Sequence, residues 1–309
     1  MGRTTIDVQT VGEHPMLRAL LCLVGIGLGA GVAKPAEVLT NFRPSTVRTE
    51  YGVSSEVEFS TGLVEVESGA LAHHLPQAMK EFSFAEPVWV IGYKTDILDS
   101  HGQSPRANYL CHTFFSDQRV DQREDNELRG IYSDAFTPEV RVPEGFGIRL
   151  LSNERFHWMP MFNNRGDEPA RVEMKVVITV IRAQDLKKPL RPLYASLKSV
   201  QTPHLFFVSP GRDVRQFTFE LLFDGSIHFL GTHLHPYGVS IELYNVSRQE
   251  QVWKGSRKGG PGGPMEVYSN SEGYRIRAGE TYKITAVYEN PGADSIDAMA
   301  GLFMLYSRN

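Results

Sequence analysis

Cysteine is nearly absent: two occur in 309 residues, Cys22 and Cys111. That excludes a disulfide scaffold and any Cys-rich zinc or iron–sulfur module. There is no excess of positive charge either. Lys and Arg total 32 against 36 Asp and Glu, for a net charge of −4 and an isoelectric point near 6.2. The electrostatic footprint of a nucleic-acid binder is therefore missing. No Gly-x-Ser-x-Gly elbow, Walker loop or strand-linked dinucleotide fingerprint occurs. Acidic pairs such as Glu124-Asp125 and Asp167-Glu168 sit in polar turns and read as solvated charge. Beyond residue 34 no segment shows a sustained 3.6-residue periodicity, which excludes a helical bundle; residues 77–82 suffice for one helical turn at most. What remains is an ordinary globular composition, 41% hydrophobic and 22% charged.

The single long apolar run, residues 19–33 (ALLCLVGIGLGAGVA), follows Arg18 and ends in small residues. It is short of the roughly 20 residues a spanning helix needs. A positive start, a short apolar centre and a small-residue end predict a secretory signal over 1–33, with Met16 as an alternative start. Export to a secreted or periplasmic location, with no membrane attachment after cleavage, follows. The mature chain then keeps one cysteine, Cys111, which must be buried or put to use.

The rest reads as β-structure. Residues 88–91 (VWVI), 174–181 (MKVVITVI), 217–223 (FTFELLF), 239–244 (VSIELY), 282–288 (YKITAVY) and 301–306 (GLFMLY) are β-branched, aromatic or alternating, with turn residues between them. Eighteen prolines and 28 glycines suit the many turns of β-sandwiches. Residues 183–203 carry Lys187-Lys188-Pro189 and Arg191-Pro192 and lack alternation. They predict a linker over 186–203 between an N-terminal sandwich at 40–185 and a C-terminal one at 204–309, and no internal sequence repeat is visible. Residues 259–264 (GGPGGP) form a loop within the second.

Ten histidines are present, and one pattern among them carries chemistry. His233 and His235 lie at i and i+2 in a strand, so both imidazoles share a face, a common way for a β-protein to hold copper or zinc. His228 has the opposite parity and joins them only if a bulge at Gly231 re-aims the strand. A third ligand has to come from another strand, and Met299 or Met304 offers a thioether, a soft donor that favours Cu(I). His73 and His74 are neighbours and point to opposite faces. His101 falls in a polar turn, and His204 has no evident partner. Asn245-Val246-Ser247 is a glycosylation sequon.

Three stretches, GTHLHPYGVSIELYN at 231–245, RAGETYKITAVYEN at 277–290 and SIDAMAGLFMLY at 295–306, resemble the C-terminal domain of copper type II, ascorbate-dependent monooxygenases. The peptidylglycine α-hydroxylating enzymes are of this class, and the stress-up-regulated nodulin-like proteins look closer still. The resemblance spans roughly residues 50–309. It implies an all-β chain of two jelly-roll-like antiparallel β-sandwich domains in tandem, with an oxygen-activating copper on His233, His235 and Met299. A looser match, VWVIGYKTDILDSHGQSPRANYLCHTFF at 88–115, falls on the family's second, electron-supplying copper. The family's His-His pair is replaced there by Cys111-His112, and its later histidine by Met161, with His157 and Met159 on the same strand parity. His112, His157, Met161 and Cys111 are thus the ligand candidates of that site, and its altered set puts the family's electron route in doubt. No residue takes the part of the arginine that holds a peptide carboxylate.

Three functions follow. The first is an exported copper monooxygenase using dioxygen, a small reductant such as ascorbate, and a small-molecule or peptide substrate. The second is a copper carrier or sensor without turnover. The third is a metal-free secreted β-sandwich that binds a protein or glycan.

Overall fold

In the computed structural model, residues 36–309 are described except 72, 106–107, 118–126, 129, 153, 203 and 261. The expected signal over 1–33 lies outside them. Apart from one 3-10 turn at Pro76–Ala78, every regular element among the described residues is a strand. Among the described residues no helix is long and apolar enough to cross a membrane.

Eight principal strands frame the first sandwich, with shorter ones added at their edges: β1 (Gly52–Val66), β2 (Lys80–Phe84), β3 (Val88–Asp99), β4 (Leu110–Asp117), β5 (Gly130–Asp134), β6 (Phe146–Leu150), β7 (Phe156–Phe162) and β8 (Ala170–Leu186). Eight more make the second: β9 (Tyr194–Ser199), β10 (Gly211–Leu221), β11 (Gly225–Leu234), β12 (Gly238–Asn245), β13 (Glu250–Ser256), β14 (Tyr268–Ile276), β15 (Glu280–Asn290) and β16 (Ala300–Arg308). The sheets of the first run β1-β8-β3-β6 and β2-β7-β4-β5. Those of the second run β9-β16-β11-β14 and β10-β15-β12-β13, the same order shifted by eight. All of these ladders are antiparallel. Eight strands wound into two four-stranded sheets in this order are a jelly roll. The chain is therefore two jelly rolls, a topological repeat with no counterpart in the sequence. Two short parallel pairings decorate the edges, residues 37–39 with 82–84 and 191–192 with 146–147.

Alternation builds both cores. In β8, residues Val172, Met174, Val176, Ile178 and Val180 are all buried, with partly exposed residues between them. Their core holds the rings of Phe59, Phe82, Phe115, Phe156 and Trp158 in mutual contact. The second core gathers Leu230, Leu234, Ile241, Ile284, Tyr288 and Leu302. Sheet β9-β16-β11-β14 has a second apolar face, because Phe229, Phe303, Leu305 and Ala195 belong to the first core's cluster. That face is where the two rolls meet.

The segment expected to be a linker, 186–203, is ordered instead. It holds β9, the first strand of the second roll, paired with β16. Its buried positions are Ala195 and Ser196, so no hydrophobic alternation marks it. A short strand, Glu127–Leu128, lies in the first roll's β4–β5 connection and pairs with the far edge of β9. The rolls thus share one sheet.

Candidate metal centre

The centre forms where β4 faces β11. Regular pairing of β4 with β7 slips between Met161 and Phe162: Met161 pairs with His112 and Phe162 with Leu110, leaving Cys111 as the extra residue of a β-bulge. A bulge breaks the alternation of side chains, so adjacent residues Cys111 and His112 both reach the neighbouring roll. The Cys111 Sγ lies 3.3 Å from Nδ1 of His112.

On β11 the shift falls at His228, between Ile227 and Phe229, and beyond it the ladder is regular. Phe229, His233 and His235 then share the face turned to the first roll, while Leu230 and Leu234 enter the second core. The rings of His233 and His235 stand 5.1 Å apart, nearly perpendicular.

These elements bring one thiol and two imidazoles together. Cys111 Sγ is 3.9 Å from Nε2 of His233 and 3.8 Å from Nε2 of His235. The three donor atoms lie within 4.8 Å of one another, and each residue is 5% exposed or less. An ion with bonds of ~2.3 Å to sulfur and ~2.05 Å to nitrogen sets its S···N separations at ~3.6 Å in a tetrahedron and ~3.8 Å in a trigonal plane. The observed S···N separations lie within a few tenths of an ångström of both values, so the three donors are close enough to share one ion.

Behind each imidazole stands a buried carboxylate. His235 Nδ1 donates to Asp297 Oδ2 at 2.7 Å, and Arg165 clamps both oxygens of Asp297 with two bonds of 2.6 Å. This sets the His235 tautomer with its Nε2 lone pair toward the sulfur. His233 Nδ1 lies 3.4 Å from Asp134 Oδ2 without the alignment of a hydrogen bond. Asp134 in turn caps the backbone N–H groups of Phe136 and Thr137 and accepts from Tyr132 Oη. A carboxylate on the far nitrogen orients a metal-binding histidine and raises its basicity.

Burial favours the uncharged forms of His235 and Cys111 until a cation arrives. Burial lowers the His235 pKa to about 4, against the opposing pull of Asp297. Burial, reinforced by Asp134, pushes the Cys111 thiol far above its ordinary range. Burial alone would raise Asp297, but hydrogen bonds from His235 and Arg165 outweigh it and hold the carboxyl well below the usual range. Without a metal this thiol is a poor nucleophile. A bound cation supplies the positive charge that a thiolate here lacks.

Met161 and Met299 pack against Cys111, all three buried. The backbone of Met299 is fixed as well, its carbonyl accepting from His235 N–H at 3.2 Å and from Tyr288 Oη. A cleft of about 380 Å³ reaches the three donors, with Arg165, 39% exposed, on its wall.

The expected ligands are thus regrouped. His233, His235, Met299, Cys111, His112 and Met161 converge on one place, not on one site per sandwich. His157 does not join them: its Nδ1 lies 3.6 Å from Glu81 and its side chain is partly buried on the stretch of β7 that pairs with β2. Its parity matches Met161, but the second roll covers only the Met161 end of the strand. His228 is the bulged residue itself, not re-aimed by one at Gly231. It is bonded to the Asn270 carbonyl and Ser307 Oγ, and its ring lies 4.1 Å from that of Phe146. His73 and His74 pair with Phe162 and Met161, and His101 is exposed beside Asp99 as expected. Asn245 is fully buried and bonds to Tyr274 and Glu280, so the sequon is closed in the folded chain. Sequence reasoning missed Asp134, Asp297 and Arg165, whose only signal is spatial.

No protein-family model and no curated protein matches the chain. Among solved structures, cowpea mosaic virus empty particles give a TM-score of 0.38 at 8% identity, covering 91% of this chain and 94% of that one. PBCV-1 VP54 fitted into the virophage Sputnik gives 0.33 at 10%, covering 85% and 95%. The STIV MCP gives 0.33 at 8%, covering 87% and 96%. Likeness at this level carries no argument about function, and the jelly rolls rest on the strand order above.

Proposed function

We propose that this is a copper-binding protein with a single centre on Cys111, His233 and His235. The observation that carries it is the trio of buried donors within 4.8 Å of one another, each imidazole backed by a carboxylate. Zinc would accept the same three donors. Copper is favoured by the sulfur-rich surroundings, since two imidazoles and a thiolate with a nearby thioether are a recurrent copper set. The resemblance to copper monooxygenases supports the same ion, and the apolar run at 19–33 supports export.

One merged centre favours holding or passing an electron over two-copper oxygenation, because Cys111, His112 and Met161, candidates for the family's second site, gather at the first and His157 is left apart. The cleft keeps a second reading open, a monooxygenase reduced from outside, since it gives a small molecule a way to the donors.

Titration of the full chain with Cu(I) against a competing chelator tests the proposal. One equivalent is expected, lost in His233→Ala and His235→Ala. With Cu(II), an intense thiolate charge-transfer band is expected and should vanish in Cys111→Ser. Unchanged stoichiometry in the histidine variants would overturn the assignment. Tight zinc with no copper preference would overturn the choice of metal.

A further inference from the structure

Strand β10 is an outer strand of its sheet, paired along one side by β15 from Gly211 to Leu221. Among the described residues no backbone pairs with its other side. Eleven residues of open edge are long for a β-protein, which ordinarily blunts such a strand with proline, a bulge, a cover or charge; of these, among the described residues, this strand has only charge, at Arg212, Asp213, Arg215 and Glu220. This strand has no proline, and its ladder with β15 has no register shift. Its solvent face reads Arg212, Val214, Gln216, Thr218, Glu220, every one exposed. Val214 is 47% exposed, and Leu222, just past the strand, is 61%.

That face is complementary to itself when reversed. A two-fold axis perpendicular to the sheet keeps each residue on its own face, so a residue can oppose only another of the same parity. With the axis through Gln216, Val214 of each copy faces Thr218 of the other, and Arg212 faces Glu220 twice. Other two-fold registers do not oppose Arg212 to Glu220. Within the chain neither residue has an ion-pair partner among the described residues, although Arg212 stands opposite Glu289 on β15. In the pair, Arg212 would lie between Glu289 of its own copy and Glu220 of the other.

We propose that β10 pairs edge to edge with β10 of a second copy of this chain, about a two-fold axis at Gln216, joining two four-stranded sheets into one of eight. The contact lies on the sheet that does not carry the metal centre, and it does not depend on metal.

Sedimentation velocity on the full chain over a concentration series tests this. The wild type is expected to show a reversible monomer–dimer equilibrium. Glu220→Arg puts two arginines face to face at both ends, and should weaken the dimer roughly tenfold or more, since opposed like charges destabilise a cross-strand pair. Arg212→Glu combined with Glu220→Arg should recover most of the loss. Gln216→Pro, which removes a backbone donor, should also weaken pairing, with unaltered thermal unfolding showing that the fold survives. A wild type that stays monomeric would overturn the proposal. So would a dimer unmoved by Glu220→Arg, or a Glu220→Arg defect that Arg212→Glu fails to relieve.

Discussion

At the scale of single residues, the centre is half visible in the sequence. His233 and His235 can be found because strand parity is a local rule, and the structure puts them on one face. Cys111 cannot be found as their partner. It lies 122 residues from His233, and it reaches the site only because a bulge suspends the parity rule for the Cys111-His112 pair. The carboxylates behind the imidazoles are equally silent in the sequence. Asp297 has the clearest testable role. Asp297→Asn keeps the shape but removes the charge shared by His235 and Arg165, and should lower copper affinity by roughly 10- to 100-fold. A chelator competition assay measures this. Arg165→Gln, which leaves the Asp297–His235 bond in place, should cost less. Equal affinity in Asp297→Asn and wild type would show the carboxylate to be idle.

At the scale of elements, period-2 alternation is strong enough in β8, β12 and β15 to be read directly. It fails where a strand buries small or polar residues, as at β9. One close approach holds the strands next to the centre. A Cβ at Gly130 would lie 1.8 Å from the Phe115 carbonyl oxygen across the β4–β5 ladder. Gly130→Ala should therefore push β5 away from β4, destabilising by about 1–3 kcal/mol as overpacking does. It should weaken metal binding as well, because β5 ends in Asp134. Chemical denaturation and copper titration of one sample separate the two effects. At the start of β15, Glu280 accepts two bonds from Arg248, at 2.6 and 2.8 Å, and others from Tyr282 and Asn245. Burial would raise its pKa, but these bonds outweigh it and the net shift is downward. A depressed folded pKa gives stability that is fully present above the unfolded value near 4.3 and fades as pH falls through the folded one. Glu280→Gln should thus cost about 2 kcal/mol at neutral pH, and the gap from wild type should close on acidification below pH ~4. A gap independent of pH would place the effect in packing.

At the scale of the whole molecule, the architecture is a repeat of connections, not of residues. Composition and alternation are enough to indicate sandwiches, whereas the strand order depends on pairings across the chain that no local pattern encodes. The centre draws Cys111 from the first roll and His233 and His235 from the second. Bound metal should then stabilise the folded chain as a unit, by about 2.7 kcal/mol at a free concentration 100 times the dissociation constant. Calorimetry with and without Cu(I) should show that rise in the wild type and none in Cys111→Ser.

The short strand Glu127–Leu128, which leaves the first roll to flank β9, also orders the assembly in time. Pairings between residues so far apart in sequence form slowly, because the intervening chain must first give up its freedom. During synthesis the first roll emerges earlier, and its core cluster is complete only when Ala195, Phe229, Phe303 and Leu305 of the second roll arrive. The second then completes its sheet against an edge already in place. On this order the imidazoles are expected to meet the thiol late, because 122 residues separate Cys111 from His233. An ion present throughout refolding should therefore leave the early phases unchanged and accelerate or trap only the final docking.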